Sequence, residues 1–90
     1  MPKTARRWFI SGIVQGVGFR FFAQKKAVSL NVSGWARNLE DGRVEVYAVG
    51  SPDRLDALAA ALHLGPRSGE VRSVEEREAP VENVTSFAIR

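Results

Sequence analysis

Hydrophobic positions change their spacing along this chain, and each change marks an element. From Arg7 to Val14 the residues are mostly β-branched, aromatic or small, and glycines at 16 and 18 then stop the run, which predicts a largely buried first strand. Phe19, Phe22, Ala23, Ala27 and Leu30 recur at three- and four-residue spacing, with Lys25, Lys26 and Ser29 mostly on other sides of the wheel. This predicts a helix of about ten residues packed through its phenylalanines, with Asn31 suited to the left-handed position that ends it. Residues 34–50, GWARNLEDGRVEVYAVG, set Asp41-Gly42 between two runs able to alternate faces and predict a β-hairpin. Ser51 then offers an N-cap, Pro52 a first helical residue, and Leu55, Leu58, Ala59 and Leu62 follow at i, i+3, i+4 and i+7. Gly65-Pro66 stops this second helix. Two weaker strands are expected around Val71 to Arg77 and Thr85 to Ile89, separated by Ala79-Pro80.

The order is βαββαβ plus a short final strand. Each helix has a single apolar stripe, so both must cover one face of an antiparallel sheet. The expected architecture is a ferredoxin-like α+β sandwich, one domain over residues 1–90, with no internal repeat or linker. Composition agrees: 44% hydrophobic and 26% charged residues are those of an ordinary globular domain and exclude disordered or collagen-like chains. At 9.9 kDa, area scaling buries roughly 64% of the unfolded surface, enough for one modest core. The absence of cysteine removes disulfides, thiolate metal ligands and a cysteine nucleophile together. Near the N-terminus the longest apolar run is Trp8-Phe9-Ile10, too short for a signal-peptide core or a membrane span, so a cytoplasmic address without membrane contact is expected. This architecture hosts enzymes, RNA-binding modules and metal-handling domains alike, so function must come from a site.

Charge narrows the partners. There are 13 basic residues against 10 acidic ones, a net charge of +3. They are dispersed, and only Arg6-Arg7 and Lys25-Lys26 are adjacent basic pairs, whereas nucleic-acid binders concentrate charge on one face. A small anionic substrate, with no nucleic acid partner, fits this balance.

The strongest chemical signal lies between the first strand and the first helix, in Val14-Gln15-Gly16-Val17-Gly18-Phe19-Arg20. Two glycines one residue apart let the backbone curl so that successive N–H groups point into one concavity, and the helix that follows starts with unpaired N–H groups of its own. Arg20 adds a planar cation able to hold a phosphate bidentately. A cation at a helix start opposes the macrodipole unless an anion compensates, which favours an anion cradle over a mere tight turn. Familiar loops fail here. G-x-G-x-x-G needs glycine at Phe21, the Walker A pattern needs a lysine followed by Ser or Thr, and a cysteine phosphatase loop would place its nucleophile at Val14. An RNA-recognition strand motif fails at Gln15, Val17 and Arg20 and would belong in a central strand.

SGIVQGVGFR, followed by GWARNLEDGRVEV and the terminal SFAIR, resembles the acylphosphatase family over nearly the whole chain. The resemblance implies that Gln15, Gly16, Val17, Gly18, Phe19 and Arg20 form a loop binding the substrate's phosphate through backbone amides and the arginine. It implies further that Asn38 positions the attacking water, and that the products are a carboxylic acid and inorganic phosphate. The chain departs from the family at Asn31-Val32-Ser33-Gly34, commonly Gly-Leu-x-Gly, and at Ala36, commonly bulkier; neither is a matched functional position.

An acyl phosphate has a good leaving group, so charge stabilisation and aim suffice for its cleavage. Water is the expected nucleophile and Asn38 can both donate to it and accept from it; no protein base stands out, which leaves a phosphate oxygen of the substrate as the proton acceptor. No cofactor and no metal are expected, and the protein is expected to be a monomer. A non-catalytic single-stranded RNA-binding module of the same fold is the alternative from another class, with Trp8, Trp35 and Tyr47 as candidate stacking residues, although core packing suits them better. Within the resemblance, a domain specialised for carbamoyl phosphate, as in larger hydrogenase-maturation proteins, is a third reading, weakened by the absence of an appended domain. His63 reads as a surface residue near the end of the second helix, and Glu40, Asp41 and Glu45 as turn and strand residues rather than a cation site.

Overall fold

In the computed structural model, which describes residues 3–90, the elements run β1 (Thr4–Ile13), α1 (Phe19–Ser29), β2 (Ser33–Asn38), β3 (Val44–Gly50), α2 (Pro52–Leu64), β4 (Glu70–Ala79) and β5 (Phe87–Ile89). The strands form one sheet in the order β4, β1, β3, β2, β5. Alternation places Trp8 and Ile10 of β1 and Val44, Val46 and Ala48 of β3 on one face. There they meet Phe19, Ala23 and Ala27 of α1 and Leu55, Leu58 and Leu62 of α2, the stripes that a 3.6-residue period generates. Each fully buried leucine contributes about 1.5–3 kcal/mol. With both helices on that face and the first four strands antiparallel, the fold is the ferredoxin-like α+β sandwich that the sequence predicts.

Details differ from expectation for local reasons. β5 pairs parallel to β2, so the sheet is mixed rather than wholly antiparallel. After β4 the chain crosses the face opposite the helices, where Val84 packs with Ala5, Trp35, Tyr47 and Val49, and then runs up beside β2. Tyr47 fastens this crossing: its hydroxyl donates to the Pro80 carbonyl at 2.7 Å and accepts from the Glu82 N–H at 2.7 Å. α1 packs through Phe19 and two alanines, with Phe22 only half-buried beside Phe19. Ser51 sits at the N-cap of α2 without a side-chain capping bond, leaving Pro52 and Asp53 in the first turn to favour the start. Asn31, at φ 58°, ends α1 as expected.

The antiparallel pairing decides where a site can be. The C-terminal ends of β1 and β2 and the start of β3 lie at the same end of the sheet, because Ile10 and Asn38 both pair with Val44. A bulge between Ser11 and Gly12 bends β1 just before that end. Among the described residues no helix is long and apolar enough to cross a membrane.

Candidate active site

Val14, buried beneath the end of β1, anchors the loop that follows. Gly16 at φ 74° and Gly18 at φ 76° both take left-handed conformations that a side chain would strain. A Cβ built at either position meets nothing within 4 Å, so it is backbone shape rather than protein packing that calls for glycine there. Gly18 is also the N-cap of α1, with no side-chain capping bond and no acidic residue in the first turn. Among the described residues, the backbone N–H groups of Gly16, Val17, Gly18, Phe19 and Arg20 have no protein acceptor. The positive end of the helix is therefore left open to an anion.

Three side chains hold this loop in shape. Val17 packs against the core, and its carbonyl accepts a hydrogen bond from the Ser68 hydroxyl at 2.8 Å. Gln15 turns its side chain away to the β2–β3 connection, donating from Nε2 to the carbonyls of Leu39 at 2.7 Å and Arg43 at 2.9 Å. Its amide thus ties the loop to the hairpin that carries Asn38.

Asn38 is the last residue of β2, exposed, and its side chain has no hydrogen-bond partner among the described residues. It lines a cleft of about 170 Å³ together with Val14, Gly16, Gly18, Phe19, Arg20 and Phe21. Of the residues singled out in the sequence, Gly16, Gly18, Phe19, Arg20 and Asn38 therefore meet on one surface, while Gln15 and Val17 support it from outside. Among the described residues no carboxylate or histidine lines the cleft. Two larger clefts, of about 430 and 410 Å³, lie at the opposite end of the sheet beside Lys3 and the start of α2, and contain none of these residues.

Arg20 is aimed by a contact that sequence reasoning missed. Its Nη1 donates to the main-chain oxygen of Arg90 at 2.8 Å, which leaves most of the guanidinium donors for the cleft. Arg90 is in turn fixed by its N–H, bonded to the Ala36 carbonyl at 2.8 Å, and by its guanidinium lying 4.6 Å above the Trp35 ring. The SFAIR segment carried family likeness but no local pattern pointing to this role. Phe21 was missed too; the helical stripe assigns it no inward contact.

Two of the three carboxylates that resemble a cation site, Asp41 and Glu45, are engaged elsewhere. Asp41 accepts from the Arg43 N–H at 3.1 Å and from Arg43 Nε at 2.8 Å, and these bonds hold its carboxyl below the usual value of 3.8. Glu45 is buried on the helix-free face, bonded to Arg37 Nε at 2.7 Å, with Arg7 Nε 3.1 Å away but poorly aligned for a hydrogen bond. Trp8 and Tyr47 are 0% exposed and Trp35 4%, so none of the three offers a face to a nucleic acid base. His63 lies exposed in the last turn of α2.

The sequence profile of the acylphosphatase family matches residues 6–89. The chain belongs to the acylphosphatase family. An acylphosphatase of Solibacter usitatus (strain Ellin6076) is 57% identical over 89 residues, spanning 99% of this chain and 93% of that one. A solved acylphosphatase from Coxiella burnetii superposes with a TM-score of 0.93 at 39% identity, covering 98% of this chain and 93% of the other. One from Bacillus subtilis gives 0.93 at 34% identity, covering 97% and 98%. Family and fold together support acylphosphatase activity, with a small acyl phosphate as the class of substrate.

Proposed function

We propose that this acylphosphatase hydrolyses small carboxyl phosphates by direct attack of water on phosphorus. In this reading the amides of the Gln15–Arg20 loop and the Arg20 guanidinium hold the phosphoryl group, and Asn38 orients the water. The observation that carries it is the meeting of unpaired loop amides, Arg20 and Asn38 around one cleft. The water oxygen forms a bond to phosphorus as the bond from phosphorus to the acyl oxygen breaks, and the carboxylate leaves with that electron pair. The water's proton passes to a phosphoryl oxygen, since among the described residues no carboxylate or imidazole lines the cleft. Negative charge spread over the equatorial oxygens in a loose transition state meets donors already in position.

The leaving carboxylate needs no protonation, so the reaction runs without a general acid, and phosphate monoesters, which release an alkoxide, are poor substrates. Amides and Arg20 supply the charge stabilisation, so the proposed mechanism calls for no divalent ion. Hydrolysis of benzoyl phosphate, followed with and without EDTA in water enriched in heavy oxygen, tests the reading. Undiminished turnover with the label in inorganic phosphate is expected. Loss of activity on chelation that Mg²⁺ restores, or label in the benzoate, contradicts it.

A further inference from the structure

Phe21 is the large apolar side chain on this cleft that solvent reaches. It is 69% exposed, whereas Val14 and Phe19, which line the same cleft, are buried. Single exposed apolar residues are ordinary on protein surfaces, and Ile13, Val28, Leu64 and Val81 are others here. None of those four lines the cleft with Arg20 and Asn38.

An acyl phosphate joins its phosphoryl group to the acyl carbon through one bridging oxygen. An acyl group attached to a phosphate at the loop therefore lies within a side chain's length of Arg20. Arg20 and Phe21 are successive residues in the first turn of α1, and their side chains diverge by about 100°. A guanidinium directed at the phosphate thus leaves the phenyl ring flanking it. The rest of the lining accessible to a substrate is glycine backbone, Arg20 and the Asn38 amide, so the ring supplies the apolar surface. It can stack on or meet edge-on a second aromatic ring, while a methyl group covers little of it.

We propose that Phe21 is the platform for the acyl group and gives the enzyme a preference for aromatic and bulky aliphatic acyl phosphates over acetyl phosphate. The proposal rests on the loop and Arg20 holding the phosphate. Its contact is the same in ground and transition states, so its effect belongs in KM.

The test compares kcat/KM for benzoyl and acetyl phosphate in the wild type, Phe21→Ala and Phe21→Leu, with the inhibition constant of inorganic phosphate measured alongside. Intrinsic reactivity of the two substrates cancels when their ratio is compared between variants. In Phe21→Ala the benzoyl-to-acetyl ratio should fall about five- to tenfold through a raised KM for benzoyl phosphate. In Phe21→Leu, which keeps an apolar surface, the ratio should fall about twofold, and phosphate inhibition should change less than about twofold in either variant. A ratio unmoved in Phe21→Ala, with the wild type active on both substrates, overturns the proposal alone. A phosphate inhibition constant rising in step with the benzoyl phosphate KM overturns it as well, because Phe21 would then be supporting the cradle. A wild type inactive on both substrates removes the hydrolase reading and this proposal with it.

Discussion

Arg20 shows how one residue's role follows from its neighbours. At the N-terminus of a helix its charge is unfavourable, and no acidic residue in the first turn relieves it. A bound phosphoryl group would, and in the proposed mechanism the bond to the main-chain oxygen of Arg90 holds the guanidinium ready for it. Arg20→Ala is expected to weaken phosphate binding by about 2 to 5 kcal/mol and to lower turnover as well, with the fold intact. Calorimetric titration with inorganic phosphate checks this, and normal affinity with normal turnover would remove Arg20 from the site. Asp41 makes a separate, pH-dependent contribution. Its folded carboxyl titrates below 3.8, so the stability it adds to the hairpin is present above that value and is lost as pH falls through the lower, folded one. The gap in melting temperature between the wild type and Asp41→Ala should therefore close in acid; a gap unchanged by pH contradicts the assignment.

At the scale of elements, the central coupling is between the β1–α1 loop and the β2–β3 hairpin. Among the described residues Gln15 alone supplies the side-chain hydrogen bonds that tie them. In Gln15→Ala the two carbonyls keep other donors, since Gly42 N–H bonds Leu39 and Leu39 N–H bonds Arg43. The cost should stay near about 1 kcal/mol, or about 4–8 °C in Tm, with a several-fold loss of kcat as Asn38 loses its register with the loop. Unchanged Tm and kcat would show the tie to be incidental. The elements themselves were largely legible: Leu55, Leu58 and Leu62 announce α2, and Asp41-Gly42 announces the hairpin. β4 was read too short because, as an edge strand, it buries little and carries charges along its length, so alternation is weak. The parallel pairing of β5 was not legible at all, because it depends on a crossing fastened by Tyr47, far away in sequence. The proposed cradle draws on two glycines and Arg20, which are close in sequence and so stand out as a pattern; the Gln15 tie and the Arg90 contact join distant segments and leave no local pattern.

Across the whole molecule, three stretches meet at one end of the sheet: residues 14–21, Asn38 and Arg90. None forms the cleft alone. The sandwich brings them together because both Ile10 and Asn38 pair with Val44, and because β5 carries Arg90 up beside Ala36. In the proposed mechanism these parts do different work: the loop and Arg20 hold phosphate, and Asn38 aims water. That division is tested most directly by measuring kcat and phosphate Kd in the same Asn38→Ala variant. A side-chain amide that orients water contributes to turnover far more than to affinity, and deleting one preorganised polar group costs about 10²-fold or more in kcat. The expected result is a loss of that size with Kd within a few-fold of the wild type. A large loss of phosphate affinity with kcat unchanged would move Asn38 into the binding set and contradict the account.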